Sequence, residues 1–476
     1  MKTITNLIRL FAAFLFGFSS LLAHETQIIG NPDYIHLQKD NGIWWFVDHS
    51  GQRFITTGMN HVDEGKILFN EVNEGWMQGQ FGDDIKAPWG ALNHNAKNIG
   101  KFADMVVADF KAYGFNTIPF HAYNVPLSLY EERKIYYVAK LQSQQISLNH
   151  MKREKGERFP DVFSHAFVEK LEAKTRKICT PLRDAKYCIG YTFFDMPDLK
   201  SIRNFQKWMF ADKGLIYPWV QDMRELPATA NGKQEWMGVL KDNHSSPAEA
   251  ARVYGIEGVE TWEQLAGITS YPILPQDESK AVIDAEEMFT LIADQWYRLH
   301  HQLIKKYDPN HLIIGDKHDV GYNKSVHRIP DGVLSAIGRY TDVLMIQSYS
   351  FYNENHQVML ETLHEKSGLP ILNGDHAYSC VSCKQEKTKG LKLDTQEAVA
   401  KEYYGYMKNI MRNHPYMLGW WHCGYIEQWA PAGTRLGQQC GFFTPFGEPN
   451  TELLTLVKEA NEMAVEWHAT AATEMR

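Results

Sequence analysis

Eight short apolar runs recur along this chain, at residues 54–60, 117–121, 135–141, 187–194, 311–315, 343–348, 369–373 and 417–422. Stretches with helical periodicity lie among them, near residues 99–113, 162–183, 282–307, 355–367, 395–413 and 450–466. Runs of this length, bounded by turn residues, have the character of strands buried on both faces. Parallel strands joined through helices cross over with one hand, so few topologies remain. Eight of them predict an α/β chain closed into a (β/α)8 TIM barrel. Ahead of it, residues 34–54 predict a short N-terminal β-hairpin, with turns at Asp40-Asn-Gly42 and Asp48-His-Ser-Gly51. Residues 200–281 break the alternation; they are rich in Trp, Lys and Asp and carry Pro227, Pro247, Pro272 and Pro275. That is too long for a plain loop. It predicts a partly helical insertion after strand four, forming one wall of a cleft.

The first 23 residues predict a signal peptide. Lys2 and Arg9 precede an apolar run, and Ala23 supplies a small residue at the cleavage point. The expected mature chain is a single domain, residues 24–476, secreted or periplasmic, with no membrane span. A net charge of -8 argues against a nucleic-acid partner, which demands clustered Lys and Arg. Aromatic residues make up 13% of the chain, enough for sugar-stacking surfaces as well as a core. No phosphate loop, dinucleotide fingerprint or Gly-x-Ser-x-Gly elbow occurs, which removes the corresponding enzyme classes. No cofactor is expected. Of the six cysteines, Cys380 and Cys383 have CxxC spacing, read as a local disulfide or two thiols shaping a loop rather than a zinc site. Cys423 and Cys440 flank the loop after the last strand and are candidates to pair. The oligomeric state is not legible.

The strand ends carry the chemistry. Asp195 ends the fourth run and Asp375 the seventh, where barrel enzymes place their catalytic groups. Paired carboxyl groups from distant strands fit glycosidic bond cleavage. Pro197 keeps a helix from starting at Asp195, and Asp198, three residues on, is a second candidate acid, a cap or a substrate contact. Gly374 lets the chain turn ahead of Asp375, and an alternative has Asp375 only orienting His376. The other strand ends supply sugar-binding candidates: Asn60 and His61, His121 and Asn124, Lys317 and His318, Tyr349, Trp421, Glu427 and Trp429. Asp316, His318, His121 and His61 form an alternative metal set, weakened by the lack of a His-x-His pair on the first strand.

Three segments resemble a known family. Gly42 to Asn60, Lys306-Tyr-Asp-Pro-Asn-His-Leu-Ile-Ile-Gly315, and Gly419-Trp-Trp-His422 running on to Glu427-Gln-Trp429 and Gly441-Phe-Phe443 are similar to retaining clan-A glycoside hydrolases. Within that clan they look most like the β-agarase and β-galactosidase-like groups. The resemblance spans most of residues 34–460 outside the insertion. It implies a β-linked galactose-type or related polysaccharide as substrate, Asp195 as acid/base and Asp375 as nucleophile. It further implies that Tyr349 positions the nucleophile and that Trp421 lies under the sugar. The clan uses glutamate at both catalytic positions, whereas this chain has aspartate. Retention needs carboxyl groups about 5–5.5 Å apart and inversion about 6.5–9.5 Å, so the stereochemical outcome stays open. A non-catalytic carbohydrate-binding barrel and a metal-dependent barrel hydrolase are the alternative functions.

Overall fold

The computed structural model describes residues 26–62, 72–81, 96–122, 125–141, 159–196, 217–271, 280–320, 329–380, 391–427 and 441–471. The predicted signal peptide, Asn124, Asp198 and Trp429 lie outside these residues, as do Cys383 and Cys440.

The expected hairpin is present and larger than predicted. Strands β1 (Gln27–Ile29), β2 (His36–Asp40), β3 (Ile43–Val47) and β4 (Arg53–Phe54) form one antiparallel sheet in sequence order. The sheet sits against the base of the barrel: Trp44 N–H donates to the Pro415 carbonyl, and Trp44 C=O accepts from His468 Nε2.

Eight parallel strands then close a barrel. In chain order they are β5 (Thr56–Met59), β6 (Thr117–Ile118), β7 (Tyr136–Lys140), β8 (Cys188–Met196), β9 (Leu312–Asp319), β10 (Leu344–Gln347), β11 (Ile371–His376) and, after the small parallel pair β12 (Tyr378–Cys380) and β13 (Leu391–Leu393), β14 (Met417–His422). β14 pairs with β5, Gly419 opposite Thr56. All eight predicted runs are barrel strands, and this is the TIM-barrel class expected.

The first described helices are α1 (Glu74–Phe81), α2 (Ala96–Ala112), α3 (Leu127–Glu132) and α4 (His165–Leu182). The insertion follows β8 and holds α5 (Pro218–Arg224), α6 (Asn231–Asn243), α7 (Pro247–Val253) and α8 (Trp262–Ala266). It is helical, as expected. Then come α9 (Lys280–Tyr307), α10 (Asp331–Tyr340), α11 (Glu354–Ser367), α12 (Gln396–Asn413) and α13 (Thr451–Ala469). On α9 the buried residues Ala281, Ala285, Met288, Phe289, Ile292, Trp296, Leu299 and Leu303 recur at three- and four-residue steps, one stripe against the sheet. Ser164, Asn353 and Thr395 cap α4, α11 and α12 through their side-chain oxygens, each offsetting an orphan N–H. Helix α10 was not expected from the sequence.

The Asp308-Pro-Asn-His311 segment is a brace at the foot of β9. Asp308 Oδ1 accepts from the N–H of Asn310 (2.9 Å), while Oδ2 accepts from Tyr191 Oη (2.5 Å) and His311 Nδ1 (2.7 Å). His311 Nε2 reaches the Ala185 carbonyl at 2.7 Å. Burial opposes the Asp308 charge, yet these hydrogen bonds, led by His311, hold its pKa below the ordinary value. Among the described residues, no helix is long and apolar enough to cross a membrane.

Candidate active site

Successive residues of a strand point to opposite faces, so each strand end divides its polar groups between the barrel lumen and the helix layer. On β9, Lys317 points inward. Its ammonium, fully buried, forms an ion pair with Asp375 Oδ2 and lies 2.9 Å from His121 Nε2. The Tyr349 hydroxyl donates to Asp375 Oδ1 at 3.1 Å. Strand ends two, five, six and seven therefore meet on one carboxylate. Burial alone would push the Asp375 carboxyl up. The Lys317 ammonium beside it outweighs that and holds it well below the usual carboxylate range. Asp375 is a buried acid whose charged form is favoured.

The surrounding groups fix its position. Asn60 donates Nδ2–H to the Gly374 carbonyl (2.9 Å) and accepts the His121 N–H at Oδ1 (3.1 Å), tying strand ends one, two and seven together. Its side-chain amide thus serves the backbone rather than a sugar. A Cβ at Gly374 would come within 2.8 Å of Met345 Cγ and Sδ, so a larger residue before the carboxylate would require the Met345 side chain to move. The Trp421 ring lies inside the barrel, beside Gly58 and Gly374, with its N–H on Thr56 Oγ1 at 2.9 Å. Fully buried, it supports Asp375 from within and offers no open face at the mouth.

His61 stacks on His121 with ring centroids 4.5 Å apart, and its Nε2 lies 3.2 Å from Cys423 Sγ. It holds a left-handed backbone, φ 59°, a conformation that costs energy and recurs at functional sites. Cys423 is a free thiol, which corrects the expected pairing with Cys440. Burial, reinforced by the Asp375 charge, pushes its pKa well above the usual value, so it stays protonated next to the carboxylate. Sequence reasoning missed it as a site residue; its position directly after the last strand was the available signal. Phe120, also missed, packs its ring 5.2 Å from the Lys317 ammonium. Cys380 is disulfide-bonded.

Other candidates face away. His318 Nε2 contacts the Tyr297 hydroxyl of α9 at 2.9 Å, and burial depresses its pKa to about 3. His376 Nε2 bonds the Ser350 carbonyl, and its ring packs among Tyr378, Tyr406 and Trp420 in the helix layer, its pKa also lowered by burial to about 3. Neither reaches the lumen, so Asp375 does not serve to orient His376. Glu427, in the segment after β14, is buried, its Oε1 accepting from Asn450 Nδ2 at 3.0 Å.

Asp316 also faces α9, accepting from Phe194 N–H (2.9 Å) and Trp296 Nε1 (3.0 Å). The alternative metal set is therefore split: Asp316 and His318 lie on one side of the barrel wall, His61 and His121 on the other. Among the described residues, no group of His, Cys, Asp and Glu side chains converges in that way.

Burial raises the Asp316 pKa to about 7, against its hydrogen bonds. Such a carboxyl binds its proton more tightly folded than unfolded. Its contribution to stability is full below the ordinary carboxylate pKa and is lost as pH rises through about 7. The shift is worth at most about 4 kcal/mol. Wild type should thus lose stability in urea unfolding between pH 5 and pH 8, and Asp316→Asn should flatten that slope. An unchanged slope in the variant would place the titration elsewhere.

Asp195 belongs to β8, in register with Lys317 on β9. The strand-four and strand-seven aspartates thus sit at the same end of one barrel, separated by β9 and β10.

A closed parallel barrel with a buried charged cluster at the C-terminal ends of its strands defines a TIM-barrel protein. Solved structures with this fold include an exo-β-agarase (TM-score 0.70, 15% identity, 93% of this chain and 66% of that one) and PfGH50B (0.70, 17%, 91% and 66%). The agarase AgWH50C is similar as well, with a TM-score of 0.69 at 15% identity over 94% of this chain and 67% of that one. The chain spans slightly less than two thirds of the length of the first two. Identities this low establish a shared fold. No protein-family model matches the sequence, and no curated protein matches it.

Proposed function

We propose that the protein is an exported glycoside hydrolase acting on a β-linked polysaccharide or oligosaccharide, with a galactan of the agar type as its substrate class. The observation that carries this reading is Asp375: a carboxylate held ionised by Lys317 and oriented by Tyr349 at the end of strand seven. An ionised carboxylate there suits either attack on an anomeric carbon or activation of a water. Asp195, at the end of strand four, takes the role of general acid toward the leaving oxygen. The shared fold of solved agarases supports the substrate class. His121 and Tyr349 are the proposed sugar contacts at the mouth, with Asn124, Asp198 and Trp429 as further candidates. Asn60 and Trp421 act through the position of Asp375. The reading treats residues 24–476 as one catalytic domain.

The test is incubation with agarose, porphyran, carrageenan and plant β-galactans, reading new reducing ends and following the product anomer by NMR. Release from at least one galactan is expected. First formation of the β-anomer from a β-linked chain marks retention and of the α-anomer marks inversion. Saturable binding of a galactan with no product after prolonged incubation would replace this reading with the carbohydrate-binding one.

A further inference from the structure

The insertion buries two cations that no described carboxylate neutralises. Arg224 ends α5, and its side chain is 4% exposed with Nε lacking any hydrogen-bond partner. Among the described residues its guanidinium meets aromatic rings, with centroids 4.9 Å away at Tyr271 and 5.7 Å at Tyr254. Lys233 of α6, fully buried, lies 5.0 Å from the same Tyr271 ring. Its ammonium donates to the carbonyls of Arg224 (2.5 Å) and Ile268 (2.6 Å) and lies 3.4 Å from Tyr271 Oη. Glu225 acts on both cations from a distance, but its Oε1 is taken by Gln221, and it lies within ion-pair reach of neither. Of the fully buried acids, Asp222 of α5 accepts from the Phe159 N–H at 2.7 Å, and Asp284 is occupied by Asn243, His244 and Tyr254.

Two like charges taken out of water beside each other are costly unless an anion joins them. The Coulombic effect is visible at Lys233, where burial, and after it the Arg224 charge, lower the ammonium pKa to about 8. The Lys233 ammonium is spent on the carbonyls that end α5 and follow α8, whereas the Arg224 guanidinium lies beside an aromatic cluster of Trp236, Tyr254 and Tyr271 that does not use its charge that way. A guanidinium presents its donors as a planar fork, the geometry that takes two oxygens of one oxyanion.

The location fits a substrate. The insertion leaves the C-terminal end of β8 and is tied to the first turns of α9: His244 to Asp284 (2.9 Å), Asn243 to Glu287 (2.8 Å) and Tyr217 to Glu286 (3.0 Å). A helix leading into the base of β9 has its first turns at the opposite end, on the side where Asp375 opens.

We propose that Arg224, walled by Tyr254 and Tyr271 and with the Lys233 charge beside it, binds one anionic group, a sulfate ester or carboxylate carried by the sugar chain. That the anion belongs to the substrate rests on the glycoside hydrolase reading; that the site binds an oxyanion does not. The first arm titrates wild-type protein with sodium sulfate against sodium chloride of equal ionic strength, read by calorimetry. Saturable sulfate binding is expected, weakened at least tenfold in Arg224→Met. No binding, or equal binding by that variant, overturns the site. Arg224→Lys, which keeps the charge without the fork, gives a second reading if the Met variant does not fold: severalfold weaker binding supports the site, unchanged affinity overturns it. The second arm compares a sulfated galactan oligosaccharide with its desulfated counterpart. At least fivefold tighter binding of the sulfated form by wild type, lost in either variant, is expected. Equal binding of the two would confine the site to free anions and overturn its role toward the substrate. Neither arm depends on turnover, so failure of the hydrolase reading leaves the sulfate result interpretable.

Discussion

Asp375→Asn is expected to lower turnover on the active galactan by about 10³-fold or more, a loss of roughly 4 kcal/mol in transition-state stabilisation. The amide keeps the shape of the carboxylate and loses its charge, its nucleophilicity and its basicity. It also strands the Lys317 ammonium, which is fully buried against it. Removing one member of a buried pair costs about 3–5 kcal/mol, so the variant should unfold at lower urea and still fold. Lys317→Met separates electrostatics from chemistry. With the ammonium gone, burial governs Asp375 and its pKa moves up instead of down. In wild type the depressed pKa contributes stability above the ordinary carboxylate range, lost as pH falls through the folded value. In Lys317→Met the sign reverses, and stability should decline as pH rises. Activity should be low at pH 6 and recover partly toward pH 8, giving a pH–kcat profile with its acid limb shifted upward. A profile parallel to wild type would mean that Lys317 does not set the Asp375 charge. The double variant, with neither charge to bury, should be more stable than either single one, and that cycle measures the coupling directly.

The architecture was open to reading because parallel barrel strands are buried on both faces and so read as continuous apolar runs. The same property hid which way each polar residue at a strand end points. Nothing in Gly315-Asp-Lys-His318 shows that Lys317 faces the lumen while Asp316 and His318 face α9. Likewise Asp375 faces in and His376 out, Trp421 in and Trp420 out against Tyr403 and Tyr406. A one-residue shift exchanges the two sets, and only the packed barrel decides between them. This is why a ring of strand-end candidates was legible and its division into lumen and helix layer was not. Cys423 escaped for a different reason. A cysteine in a chain expected to be exported invites pairing, whereas its burial beside His61 and Asp375 depends on contacts far apart in sequence. The Asp308-Pro-Asn-His311 segment, part of the family resemblance, proves to be a fold determinant, since its hydrogen bonds brace the foot of β9 away from the site.

Barrel closure makes the second large prediction, at Gly419. This residue opens the Gly-Trp-Trp-His segment of β14 and pairs with Thr56 across the seam between the last and first strands. Its φ is 147°, outside the range that L side chains adopt readily. A Cβ there would collide with the Thr56 carbonyl oxygen and come within 2.7 Å of Thr56 Cγ2. The obstacle is backbone, which a rotamer change cannot relieve. Yielding would part β14 from β5 and disturb both neighbours, Trp420 stacked on Tyr403 at 4.3 Å and Trp421 on Thr56 at 2.9 Å. An opened seam also exposes two unpaired strand edges. Gly419→Ala should therefore cost more than about 4 kcal/mol or leave the chain aggregated. Gly405→Ala on α12, where an added methyl meets nothing within 4 Å, is the matched control. It removes a helix-interior glycine and should stabilise the protein by about 0.5–1 kcal/mol. Urea unfolding of both variants decides the matter. A Gly419→Ala protein with wild-type stability would show that the seam relaxes around a methyl group and that closure does not depend on glycine there.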